Sequence, residues 1–162
     1  MRNILFFGLC FLTQNLLAME EISDFGDNPG KLRMYLHIPP GVQGPIPLVV
    51  ALHGCSQDAE ELAAISGWNE LADRYGFAVL YPEQRSGNNM TTCFNWFLPK
   101  DIEGDGGELA SICSMMDYTA QLIAIDAERI FAYGLSAGAA MANSLLANDP
   151  TGFAGGAIFA GG

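Results

Sequence analysis

The chain has 162 residues, half of them hydrophobic and 15% charged. That is enough for one domain with a sizeable core and too apolar for a disordered chain. Its formal charge of −11 argues against nucleic acid and anionic membrane surfaces as partners. Residues 1–18 read as a secretory signal peptide. Met1-Arg2-Asn3 is a positive start, Ile4 to Leu12 is apolar or glycine throughout, and Ala18 is a small residue at the cut. The run is too short to span a bilayer, so no membrane anchor is expected once it is cleaved. An uncleaved N-terminal anchor is the alternative.

Beyond it, Leu32 to Ile38 predicts a strand, stopped by Pro39-Pro40-Gly41. Pro47 to Leu52 is a continuous apolar run, as in a strand buried on both faces. Asp58 opens a helix, with Glu61 three residues on as a capping-box partner. Its apolar stripe is Leu62, Ile65, Trp68, Leu71/Ala72 and Tyr75, and Gly76 ends it. Phe77 to Tyr81 is a further buried strand. A long loop runs from Pro82 to about Gly107, and a helix from Glu108 to about Ile125. Arg129 to Tyr133 is a strand, and Ala137 to Ala147 a helix that Asn148-Asp149-Pro150 ends. A last apolar stretch spans Phe153 to Phe159. This alternation implies an α/β fold: a mainly parallel sheet with right-handed crossovers and helices on both faces.

Export would permit disulfides. Without Cys10, three cysteines remain, Cys55, Cys93 and Cys113, and three single pairings are open. Cys113 shares a predicted apolar helix face with Leu109, Ile112 and Met116, so a buried free thiol is expected there. Cys55 and Cys93 both follow predicted strands at one edge of the sheet, which favours that pair. The spacings are too long, and histidines too few, for a metal site.

Residues 134–138 read Gly-Leu-Ser-Ala-Gly, a G-x-S-x-G nucleophile elbow between a strand and a helix. Gly134 and Gly138 suit it because chain passes close by, and Ser136 is the candidate nucleophile. A serine hydroxyl needs a base, and in this architecture the acid and then the histidine follow the serine. The only histidines, His37 and His53, precede it. Beyond Ser136 the one acid is Asp149, placed at the end of the serine's own helix. In such sheets the site lies beyond the carboxyl ends of the strands. His53-Gly54-Cys55 ends one strand and Ser136 another. The N–H groups of Cys55 and Ala137 are therefore the candidate oxyanion donors. His53 is expected to shape its loop, and His37 to lie on an outer strand away from the chemistry.

Four segments occur in order: Leu52-His53-Gly54-Cys55-Ser56-Gln57, Cys93-Phe94-Asn95-Trp96-Phe97, Gly104-Asp105-Gly106-Gly107-Glu108, and Gly134-Leu135-Ser136-Ala137-Gly138-Ala139-Ala140-Met141. Together they resemble the secreted polyhydroxybutyrate depolymerase family of α/β-hydrolases, which is similar to feruloyl and acetyl-xylan esterases. The resemblance covers roughly residues 30–162. It implies a serine esterase acting on polyesters or plant-wall esters, with no metal or cofactor. It supports Ser136, Cys55 and Ala137 in the roles above. Trp96 matches an aromatic position near the substrate cleft, with a core tryptophan as the alternative. Asp105 and Glu108 read as structural carboxylates at a helix N-terminus. The family's acid and base lie further on, so residues 19–162 are expected to be the N-terminal part of a catalytic domain, truncated after the strand that follows the nucleophile helix. A partner segment carrying the acid and base would then cover the sheet edge. Two further readings are a non-catalytic product that keeps an ester-binding surface, and a serine peptidase on the same fold.

Overall fold

The apolar run Ile46–Leu52 becomes β3, the strand around which the molecule is built. The computed structural model describes residues 19–103 and 106–161. β3 lies in a sheet of six strands ordered β1-β2-β4-β3-β5-β6. The others are β1 (Glu20–Ile22), β2 (Arg33–His37), β4 (Ala78–Glu83), β5 (Ile125–Leu135) and β6 (Gly155–Phe159). β4, β3, β5 and β6 run parallel, while β2 is antiparallel to both its neighbours. The expected mainly parallel α/β sheet is thus found. β1 is an addition: three residues with two glutamates carry no strand signal of their own and are held by pairing with β2.

The two faces of β3 explain why it is apolar throughout. Leu48, Val50 and Leu52 join one core cluster with Ile112 and Met115 of α4 (Gly107–Leu122) and Met141 and Leu145 of α5 (Ala137–Asn148). Val49 and Ala51 join another with Leu62 of α1 (Ala59–Ser66) and Ala72 of α2 (Trp68–Tyr75). Each fully buried leucine, isoleucine or methionine contributes about 1.5–3 kcal/mol. A one-turn helix, α3 (Pro99–Ile102), interrupts the expected long loop.

Two expectations need correction. The single helix from Asp58 to Tyr75 is two helices. Asp58 does cap the first, its side chain accepting from the Glu61 N–H, but Gly67 adopts a left-handed φ of 70° and breaks the run. The break resets the helical phase. Leu62 and Ala72 are buried, whereas Ile65 and Tyr75 are exposed. Cys113 is also exposed and not buried. The inward stripe of α4 is Glu108, Leu109, Ser111, Ile112, Met115 and Thr119. Two of its polar members set the helix rotation: Ser111 accepts the Gly30 N–H at 2.8 Å, and Glu108 binds the 93–97 loop. Cys113 is left on the outer side. Of the three pairings open to the sequence, Cys55–Cys93 is formed, across a Cα–Cα distance of 4.2 Å. The signal-peptide reading of residues 1–18, Cys10, and the structural reading of Asp105 fall outside the described residues.

Candidate active site

β5 ends at Leu135 and α5 begins at Ala137, with Ser136 between them at φ 53° and ψ −119°. A non-glycine residue held there stores about 1–3 kcal/mol of strain, which the packing around it must offset. Gly134 allows that packing: a Cβ on it would lie 2.5 Å from Ala139 Cα and 2.6 Å from Ala139 N. Gly138 is pressed against the carbonyl oxygens of Leu52 and His53. The strained turn is also tied forward, since the Ser136 N–H donates to the Phe159 carbonyl at 2.8 Å. The Ser136 side chain is exposed.

Leu52 pairs with Gly134 in the β3–β5 register, so the chain leaves both strands side by side. Gly54 lies against the elbow: a Cβ on it would sit 3.4 Å from the Leu135 carbonyl oxygen and 3.5 Å from Ser136 Cβ. Most N–H groups around this junction are engaged. Gly54 donates to Gln57 Oε1 at 2.9 Å. Ser56 donates to Thr91 O at 2.6 Å, Gln57 to Gly54 O at 3.3 Å, and Ala139 to Ser136 O at 3.0 Å. The N–H groups of Cys55 and Ala137 have no acceptor among the described residues. Two unengaged N–H groups flanking an exposed serine are what a developing oxyanion requires.

His53 is completely buried. Its Nε2 accepts the Gln84 N–H at 3.0 Å, which places the ring proton on Nδ1, and Nδ1 bonds the Gly54 carbonyl at 2.8 Å. Burial holds its pKa below the ordinary histidine value, opposed by the Gly54 bond and the nearby carboxylates of Glu83, Asp58 and Glu61. A neutral ring with both nitrogens engaged is no base for Ser136. His37 bonds Asp73 Oδ1 at 2.8 Å, a pairing that suggests a catalytic dyad, but it lies opposite Val79 near the amino end of β4. Ser136 lies at the carboxyl end of the parallel strands, the other end of the sheet. Asp149 accepts the Gly152 N–H at 2.9 Å within the turn after α5.

The aromatic segment 93–97 is fixed from three sides. Cys93 is bonded to Cys55. Phe94 is buried against the His53 ring, centroids 4.9 Å apart. The carboxylate of Glu108, buried inside α4's first turn, accepts the Asn95 N–H at 2.8 Å and Asn95 Nδ2 at 2.6 Å, and also binds Gln84 Nε2. Burial pushes the Glu108 pKa up, against these hydrogen bonds. Its role is therefore a buried clamp as well as a helix-end charge. The sequence marked Glu108 as structural but gave no sign of its partners, Gln84 and Asn95, which stand apart within the segment joining β4 to α3. Trp96 is 41% exposed and stacks edge-on against Phe97 at 5.8 Å. That excludes the core position for it.

Two cavities lie elsewhere. One of about 610 Å³ is bordered by Arg33, Tyr35, Asn69 and Glu83. The other, of about 600 Å³, is an apolar groove beside β6 bordered by Val49, Trp68, Phe131, Tyr133 and Ala157. Neither includes Ser136, Cys55 or Ala137.

The family model for esterase PHB depolymerase matches residues 32–162. The chain belongs to the PHB depolymerase esterase family. Among the family's relatives, poly(3-hydroxyalkanoate) depolymerase C of Paucimonas lemoignei is 46% identical over 154 residues, covering 95% of this chain and 37% of that protein. Feruloyl esterase B of Thermothelomyces thermophilus is 33% identical over 159 residues, covering 96% and 54%. The acetyl xylan esterase structure from Aspergillus awamori superposes with a TM-score of 0.83 at 29% identity, covering 89% of this chain and 52% of that one. A poly(3-hydroxybutyrate) depolymerase from Bordetella parapertussis shares the fold at TM-score 0.64 and 19% identity, covering 78% and 45%. The chain thus spans about a third to a half of the length of these PHB depolymerase-family esterases and their structural neighbours. The α/β-hydrolase-type fold expected from the sequence is the one they share.

Proposed function

We propose that this chain is the nucleophile-bearing part of a serine carboxylic-ester hydrolase of the poly(3-hydroxyalkanoate) depolymerase type. The observation that carries the reading is the junction of Ser136, strained and exposed on its elbow, with the unengaged N–H groups of Cys55 and Ala137. In this reading Ser136 Oγ attacks the ester carbonyl as a base takes its proton. The carbonyl oxygen becomes an oxyanion bound by the two N–H groups. Collapse expels the alcohol, its oxygen reprotonated, and leaves an acyl-enzyme that water hydrolyses. Every step uses side chains, backbone and water.

The acid and base come from polypeptide outside these residues. Both histidines are committed elsewhere and Asp149 is held in its own turn. The apolar surface beside β6, with Phe131 37% and Phe159 53% exposed, suits a segment carrying them. Trp96 and Phe97 form an exposed aromatic wall to the cleft, tied to the oxyanion loop through Cys93. The 46% identity to a polyalkanoate depolymerase favours an aliphatic polyester over a plant-wall ester. A disulfide and the 1–18 segment suit a secreted protein. No helix among the described residues is long and apolar enough to cross a membrane.

The test is hydrolysis of short acyl esters by the full-length polypeptide and its Ser136→Ala variant. The variant is expected to lose at least about 10³-fold in kcat. Equal turnover would overturn the assignment. Loss confined to peptide substrates would favour a peptidase instead. No hydrolysis by either protein would favour a binding-only product.

A further inference from the structure

We propose that the side-chain amide of Gln57 is a substrate-binding group, donating a hydrogen bond to a second ester carbonyl, one repeat unit from the bond that Ser136 cleaves. The inference deepens the esterase reading and rests on it. Gln57 lies in the loop between β3 and α1. Its Oε1 accepts the Gly54 N–H at 2.9 Å. A backbone N–H can only donate, so the amide oxygen must face Gly54 and the NH2 is the half left over. The rest of the residue is held too. Its own N–H donates to the Gly54 carbonyl at 3.3 Å, and its carbonyl accepts the Thr92 hydroxyl at 3.1 Å. Its side-chain NH2 has no acceptor among the described residues.

That sets Gln57 apart from the amides beside it. In the segment 84–95, Gln84 Nε2 donates to Glu108 and to the Cys93 carbonyl. Asn88 Nδ2 donates to the Gly30 carbonyl, Asn89 Nδ2 to Asn95 Oδ1, and Asn95 Nδ2 to Glu108. Bracing Gly54 requires only an acceptor, which a carboxylate would supply as well. The amide adds a donor that the protein does not use. Gln57 is half-buried, and its Nε2 is not sealed from solvent. A Cβ on Gly54 would lie 2.9 Å from Gln57 Oε1 and 3.5 Å from Ser136 Cβ. The width of one glycine therefore separates the amide from the nucleophile, a gap that a single hydroxyacid repeat spans. Every repeat of a polyester carries a carbonyl, an acceptor that brings no donor of its own. With the scissile carbonyl on the N–H groups of Cys55 and Ala137, the next carbonyl comes within reach of the Gln57 NH2. A simple acetyl ester has no second carbonyl and gains nothing there.

Gln57→Glu keeps an oxygen for the Gly54 N–H and removes the donor. In the full-length polypeptide it is tested on p-nitrophenyl acetate and on a soluble 3-hydroxybutyrate trimer. The added charge slows both substrates alike, so the ratio carries the test. The kcat/KM for the trimer is expected to fall at least about fivefold further than that for the acetate. An unchanged ratio would overturn the proposal. A second readout keeps Gln57 in place. In Ser136→Ala, saturating trimer is expected to shift the Gln57 side-chain 1H–15N signals, and p-nitrophenyl acetate is not. Signals unmoved by the trimer would overturn the proposal even if Gln57→Glu does not fold. If the parent hydrolyses neither substrate, or Ser136→Ala stays active, the esterase reading fails and this inference falls with it. If the parent hydrolyses both and Gln57→Glu leaves the ratio unchanged, only the role of Gln57 fails.

Discussion

Gly138, in the first turn of α5, lies against the carbonyl oxygen of His53, with no room for a Cβ between them. This contact brings α5 onto the end of β3 and sets Ser136 beside the loop that follows β3. Gly138→Ala should destabilise the fold by about 1–3 kcal/mol, because it meets backbone that cannot move aside. Gly54→Ala should be milder for the fold. Its Cβ meets the movable Gln57 side chain at 2.9 Å and makes an ordinary contact with Ser136 Cβ at 3.5 Å, but moving Gln57 aside releases the Gly54 N–H that it holds beside the serine. Chemical denaturation and ester turnover should therefore rank the two variants in opposite orders: Gly138→Ala worse in stability, Gly54→Ala worse in activity relative to its stability loss.

The Cys55–Cys93 bridge closes a separation of 38 residues. Loop-closure entropy puts its contribution at about 3–4 kcal/mol. Reduction, or Cys93→Ser, should lower the denaturation midpoint accordingly. It should also free the 93–97 segment from the loop that follows β3. Amide exchange at Ser56, whose N–H donates to Thr91 O, should then accelerate more than exchange in β3.

Glu108→Gln keeps the shape of the buried clamp but turns one acceptor into a donor. The oxygen that serves Gln84 and Asn95 Nδ2 can remain, and the other position then faces the Asn95 N–H donor to donor. A loss of about 1–3 kcal/mol is expected. Equal stability of the variant and the parent in urea would show that the carboxylate is not the acceptor for both Asn95 groups.

His53 gives stability a pH dependence with a definite sign. Its folded pKa lies below the ordinary value of 6.5 because the ring is buried. Above 6.5 neither state binds a proton there, and the stability is fully present. As pH falls below 6.5 the unfolded chain protonates first, so stability is lost until the folded pKa is reached. Denaturant midpoints from pH 7.5 to 5 should fall, and His53→Asn should flatten that part of the curve. An equal slope in the variant would locate the effect in other groups.

What could be read without the fold was local. The strand, the Gly-Leu-Ser-Ala-Gly turn and the helix after it each have short-range signatures, and β3 declares itself by its apolar run. The break at Gly67 was hidden because apolar residues continue at helical spacing on both sides of it. The outward face of Cys113 was hidden because two polar residues, Glu108 and Ser111, set the rotation of α4. By itself, then, the sequence determined that a serine sits on a strand-to-helix turn with no histidine after it, and that a His-Gly-Cys loop accompanies it. Only the tertiary structure decided which N–H groups around the elbow are left unengaged, which nitrogen of His53 carries the proton, and which cysteines join. Those depend on residues far apart in the chain meeting at the carboxyl ends of β3, β4 and β5, and a hydrogen bond or disulfide between distant residues leaves no periodic mark in the sequence of either.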